Sequence, residues 1–169
     1  MSIRLAVPAD LALLQELEIA GGELFRRIGM TEVADHAPPP LHVLRTYQRA
    51  GRAWVAAGAA NQPIGYILVK VLDGAAYIEQ VTVHPDHQRQ GLGRALIDAA
   101  ARWASTQSLP ALTLSTFRDV AWNAPYYAGL GFEELPEEAL TPGLLAIRAE
   151  QTKIGLDPAD RVFMRRATR

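Results

Sequence analysis

The feature that most restricts the fold is the run from Ala76 to Trp103, where the hydrophobic period changes partway along. Ala76 to Val83 alternates like a strand, Pro85 closes it, and apolar residues then recur at Leu92, Ala95, Leu96, Ala99 and Trp103. That spacing is the stripe of an amphipathic helix, with Arg94, Asp98 and Arg102 on its solvent side. Between strand and helix lies a loop with two glycines, Gly91 and Gly93. The first helical amides there are donors without chain partners at the positive end of the helix dipole. Glycine lets a ligand approach the backbone closely, so an anionic phosphate suits this junction.

Two nucleotide-binding loops share this outline, and neither fits. The dinucleotide fingerprint needs a third glycine where Leu96 stands, with an acidic residue about 20 positions on, and both are missing. The ATP-type loop needs Gly-Lys-Ser/Thr, whereas Gly93 is followed by Arg94 and Ala95.

The rest of the chain supplies a sheet around this unit. Ile3–Val7 reads as a first strand, and Asp10 as the N-cap of a helix with the stripe Leu11, Leu14, Leu17 and Ile19. Gly21-Gly22 is expected to interrupt that helix before a second piece at Glu23–Ile28. Pro38-Pro39-Pro40 requires an extended loop, and Leu41–Ala50 reads as a helix. Strands follow at Ala53–Ala57, Ile64–Leu72 and Ala76–Val83, with a turn at Asp73-Gly74. Ala111–Ser115 is a short strand, Asn123–Leu130 a short helix, Leu144–Thr152 a helix and Val162–Arg165 a last strand. This order predicts an α/β fold: a single mixed, mostly antiparallel sheet with helices on both faces, in one domain over 1–169.

Composition narrows the function classes. With 17 basic and 18 acidic residues the formal charge is −1, which disfavours nucleic acid as partner. The absence of cysteine excludes a disulfide scaffold and a thiolate nucleophile, and fits a reducing, cytoplasmic setting. The N-terminus does not read as a signal peptide and no segment reads as a membrane span, so a membrane is not an expected partner. The four histidines lack metal spacing, so no metal is expected, and Ser115 has no histidine–acid arrangement in sequence.

The stretch Gln88-Arg89-Gln90-Gly91-Leu92-Gly93, with Val81-Thr82-Val83-His84-Pro85-Asp86 before it and Arg94-Ala95-Leu96-Ile97 after, resembles the acetyl-coenzyme A site of the Gcn5-related N-acetyltransferase (GNAT) family. The element order is similar to that family's fold over nearly the whole chain. The resemblance implies that Val81, Thr82 and Val83 border the pantetheine arm, with the backbone of Val81 and Val83 pairing with it. It also implies that Gln88, Arg89, Gln90, Gly91, Leu92, Gly93 and Arg94 form a cradle for the pyrophosphate, with acetyl-CoA as co-substrate.

Strand alternation puts Tyr77, Glu79, Val81 and Val83 on one face. Glu79 is the expected base: a partly buried carboxylate there can take the proton an attacking amine must lose. Tyr126 and Tyr127 lie about 100° apart on the short helix, so one can pack while the other faces a site, with Tyr126 expected to pack. The spacing Tyr127-x-x-x-Gly131-Phe132 looks like the family's motif, in which the phenol protonates the departing thiolate. A phenol with a pKa near 10 is protonated at pH 7 and suits that step. Many family members carry a coenzyme-contacting asparagine seven residues before this tyrosine. Here that position is Val120, and Asn123, a sound N-cap, is carried with the coenzyme residues instead.

Thr116-Phe117-Arg118-Asp119 is read as a loop that shapes the acceptor pocket. Glu16, Glu18, Glu23, Glu32, Asp35, His36 and His42 against Arg26 and Arg27 would favour a cationic acceptor, although an exposed helix face has the same composition and is the preferred reading. The expected activity is transfer of an acetyl group to a primary amine of a small molecule or peptide by direct attack, with a homodimer as the candidate assembly. The rival from another class is a non-catalytic acyl-CoA-binding sensor or interaction module.

Overall fold

The computed structural model describes residues 1–169. In chain order its elements are β1 (Ser2–Leu5), α1 (Leu11–Arg26), α2 (Thr31–Ala34), α3 (Leu41–Arg49), β2 (Ala53–Ala57), β3 (Pro63–Leu72), β4 (Ala75–Val83), α4 (Leu92–Thr106), β5 (Ala111–Phe117), α5 (Ala124–Gly129), β6 (Glu133–Glu134), α6 (Pro142–Lys153) and β7 (Arg161–Ala167). The seven strands form one sheet in the order β1-β2-β3-β4-β5-β7-β6. The pairs β1–β2, β2–β3, β5–β7 and β6–β7 are antiparallel, and β4–β5 is parallel. This is the mixed, mostly antiparallel sheet that the sequence predicts. No helix is long and apolar enough to cross a membrane.

The chain forms two compact units, Met1–Val69 with Gln80–Ala100, and Lys70–Glu79 with Ala101–Arg169. In the first, Leu11, Leu14 and Leu17 of α1 and Leu44 and Tyr47 of α3 pack on Ala53, Val55, Tyr66 and Leu68. Ile19, expected on the α1 stripe, is exposed. Helices lie on both faces of this unit's strands. Thr82 stands against Gly21 of α1, while its neighbour Val83 and Leu96 of α4 stand together beside Gly65. Successive strand residues point to opposite faces, so α1 and α4 do too.

Gly21 and Gly22 do not break α1, which runs through both. A Cβ on Gly21 would come within 2.8 Å of the Thr82 side chain, and one on Gly22 within 3.3 Å of the Ala34 carbonyl. Close helix approach therefore explains the pair, and packing outweighs the modest helix propensity that glycine loses. Asp10 also departs from expectation. It ends a 3-10 turn, Pro8–Asp10, and its side chain does not cap α1. Instead its Oδ2 accepts the Val7 amide at 2.8 Å, and both carboxylate oxygens take bonds from Arg4, at 2.7 and 3.1 Å.

In the second unit Tyr77, Leu144 and Phe163 form the core, with Leu72, Leu135, Leu140 and Ile147 packed around it. The β3–β4 turn has left-handed Asp73 (φ 51°) and Gly74 (φ 76°), the geometry an Asp-Gly hairpin turn favours. Asp73 Oδ2 accepts the Gly143 amide at 2.8 Å and so satisfies a donor in the first turn of α6.

Burial raises the Asp10 pKa, but the Arg4 bonds and the Val7 amide outweigh it and hold the carboxyl below its ordinary value. A lowered folded-state pKa gives stability that is present above the ordinary value and lost as the pH falls through the lowered one. Asp10→Asn is expected to cost about 2 kcal/mol at pH 7. In urea titrations the gap to wild type narrows below the ordinary aspartate value of 3.8.

Candidate active site

The glycine junction forms as its residues require. Gly91 has φ 75°, a left-handed conformation that disfavours any side chain, and open space where a Cβ would stand. The Ala95 amide is bonded to the Gly91 carbonyl at 3.0 Å, so the amides of Leu92, Gly93 and Arg94 precede the first bond of α4 and have no partner within the helix. Gly93 sits inside the first turn of α4, while Arg89, Gln90 and Arg94 are exposed around it. The Gln88 side-chain amide donates to the Val83 carbonyl at 2.9 Å and ties the loop to the end of β4. A ring of free amides at the N-terminus of a 15-residue helix, flanked by two arginines, fits a pyrophosphate.

On β4, Val81 and Val83 are partly buried and the Thr82 side chain turns toward α1. There it meets a carboxylate that the sequence reading assigned to an exposed helix face. Glu18 Oε1 accepts from the Thr82 hydroxyl at 2.7 Å and the Tyr66 hydroxyl at 2.8 Å, and Oε2 accepts from the Gln80 amide at 2.9 Å. Three neutral donors and no cation hold it. Burial pushes the Glu18 carboxyl above its ordinary value, although the three hydrogen bonds oppose the shift. Burial, followed by the Glu18 charge, pushes the Tyr66 phenol well above its own. The one sequence signal was its position four residues after buried Leu14, on the flank of the apolar stripe.

In the second unit, β4 and β5 pair at Ala76–Leu112 and Tyr77–Thr113, and the ladder goes no further. Glu79 lies just beyond it. Its side chain is 41% exposed, not partly buried as expected, and pairs with Lys70 at 3.2 Å. The Lys70 ammonium also stands 5.4 Å from the centre of the Tyr77 ring. Tyr126, expected to pack, is 38% exposed, and Tyr127 is buried. The Tyr127 ring is edge-on to Phe132 at 5.8 Å and to Tyr126 at 5.4 Å. Gly131, at φ 93°, closes α5, with the Phe132 amide returning to the Tyr127 carbonyl. Asn123 occupies the N-cap position of α5 through its carbonyl, which accepts the Tyr127 amide, and its side chain makes no cap. Thr116 and Phe117 belong to β5 and are buried, so the loop before α5 begins at Arg118.

A raised carboxyl pKa means that the folded state holds the proton more tightly than the unfolded one. The stability this gives is full below the ordinary value of 4.5 and is lost as the pH rises through the raised value. The free energy of unfolding of wild type should therefore fall relative to Glu18→Gln as the pH climbs above 4.5. Glu18→Ala leaves three donors without an acceptor and is expected to cost about 3 kcal/mol by urea denaturation.

Residues 18–132 match the family model described as the acetyltransferase (GNAT) family. Among solved structures, an acetyltransferase of the GNAT family from Staphylococcus aureus Mu50 is similar, with TM-score 0.73, 16% identity and 99% coverage of both chains. The ribosomal-protein-S18-alanine N-acetyltransferase of Escherichia coli is similar with TM-score 0.66, 18% identity and coverage of 99% of this chain and 93% of that one. N-acetylglutamate synthase from Neisseria gonorrhoeae, solved with coenzyme A and N-acetyl-glutamate, is similar with TM-score 0.74, 16% identity and coverage of 99% of this chain and 35% of that one. On the match over residues 18–132, the chain belongs to the GNAT acetyltransferase family.

Proposed function

We propose that this protein is an N-acetyltransferase that moves the acetyl group of acetyl-CoA to a primary amine of a small molecule or peptide, with the 169 residues acting as one catalytic domain. The observation that carries this reading is the junction at Gly91, where a left-handed glycine opens a long helix with three free amides. Those amides meet a pyrophosphate without needing a basic molecule, in keeping with a formal charge of −1. Membership of the family supports the reaction class.

When bound, the coenzyme supplies an activated thioester carbonyl. The amine nitrogen attacks that carbon, a C–N bond forms, the C–S bond breaks, and the products are an amide and coenzyme A. Glu79 takes the proton the amine loses, directly or through a water, and Tyr127 donates its phenolic proton to the departing sulfur. The cysteine-free chain leaves direct attack as the simpler route over an acyl-cysteine intermediate. Lys70 is a competing partner for Glu79, so an arriving amine must share or displace that ion pair.

Isothermal titration should detect acetyl-CoA binding in the micromolar range, and no binding at high micromolar concentration would sink the reading. Tyr127→Phe is expected to lower kcat by about 100-fold with coenzyme affinity unchanged. A wild type that binds acetyl-CoA and releases no coenzyme A with any amine of a broad panel would point to the sensor instead. Glu79→Gln should lower kcat by a similar factor, and an unchanged kcat would remove Glu79 from the mechanism.

A further inference from the structure

Arg161 opens β7 directly opposite Phe117 of β5. Its guanidinium carbon lies 4.5 Å from the centre of the Phe117 ring, and Nη2 donates to Ser115 Oγ at 3.1 Å. Ser115 is in turn held by the side-chain amide of Gln151. No carboxylate lies within ion-pair distance of Arg161, and its Nε is buried without a hydrogen-bond partner. Burial pulls this guanidinium below its ordinary pKa, with Tyr77 and Tyr127 as the neighbours that oppose the shift. An arginine is charged throughout the accessible pH range, so it is a partly buried cation whose contacts, Ser115 and Phe117, are neutral at pH 7.

One other buried side-chain atom lacks a partner, Thr113 Oγ1. Thr113, Ser115 and Phe117 alternate onto the same face of β5, and Arg161, paired with Phe117, joins them. A cation with an unused donor and a hydroxyl with unused hydrogen-bonding capacity thus stand on one strand face. Native structures rarely leave buried donors unmet, so an unpartnered guanidinium N–H calls for an acceptor.

We infer that Arg161 receives a carboxylate carried by the acceptor amine, which makes the acceptor an amino acid or another amino-carboxylate. This rests on the acetyl-transfer reading, in which Tyr127 serves the reacting sulfur. The thioester end of acetyl-CoA carries no anion, so the missing negative charge comes with the acceptor. The planar fork of a guanidinium matches a carboxylate, and its stacking on Phe117 holds the fork in place before the guest arrives.

The test compares free amino acids with their C-terminal amides by coenzyme A release, with acetyl-CoA titrations run in parallel. Wild type is expected to favour the free carboxylates by about tenfold or more in kcat/KM, chiefly through KM. Arg161→Gln should abolish that preference while leaving the acetyl-CoA Kd unchanged, and Arg161→Lys should restore part of it. A wild type that treats acids and amides alike, prefers amides or accepts no amino-carboxylate overturns the assignment, and so does a preference that survives in Arg161→Gln. Because the preference is read first in wild type, a variant that fails to fold does not shield the inference. Acetyl-CoA binding without carboxylate preference sinks the Arg161 assignment alone, whereas absence of acetyl-CoA binding sinks the transferase reading and this assignment with it.

Discussion

A single carboxylate settles how α1 lies on the strands of the first unit. Glu18 draws the hydroxyls of Tyr66 and Thr82 and the amide of Gln80 to one point, so α1 is tied to β3 and β4 together. Gly21, one turn further along, then has to be bare, because the helix passes too close to Thr82 for a Cβ. Hydrophobic burial is non-directional and would tolerate a range of helix positions, whereas three hydrogen bonds to one buried group select a single one. The burial that makes the carboxylate costly to charge also makes its geometry strict.

The strand–loop–helix unit was legible in the sequence because each boundary has a local cause. Pro85 ends a strand, Gly91 adopts a backbone that other residues avoid, and the apolar period changes between them. The hairpin at Asp73-Gly74 follows the same logic of turn chemistry. The misread places are those where a distant residue decides. Gly21-Gly22 looks like a break until Thr82 and Ala34 are seen against it. Tyr126 and Tyr127 are adjacent and chemically alike, and only the position of Phe132 tells which ring is covered.

The candidate site divides along the same line. The backbone turn at Gly91 was readable, because a glycine motif encodes backbone geometry directly. Residues that act through side-chain surroundings were not. Glu18 meets partners 48, 62 and 64 positions away, and Arg161 meets Ser115 at a separation of 46. No window of sequence contains both members of such a pair, so burial of the charge is invisible before folding. Glu79 shows the converse, since alternation assigned its strand face while Lys70, on the neighbouring strand, supplied an ion partner.

Neither compact unit is a continuous length of chain. The first takes residues up to Val69, gives up ten, and resumes from Gln80 to Ala100, while those ten, Lys70–Glu79, pack with everything after Ala101. The end of β3 and most of β4 are thus lent to the later part of the chain before it exists. During synthesis the glycine loop and the start of α4 emerge while the second unit still lacks Leu144 and Phe163, the partners that bury Tyr77. The hairpin around Asp73-Gly74 must wait for core partners from a stretch made last. A shortened chain ending near Ala100 would preserve every residue of the first unit and still carry a hairpin whose core partners Leu144 and Phe163 are missing.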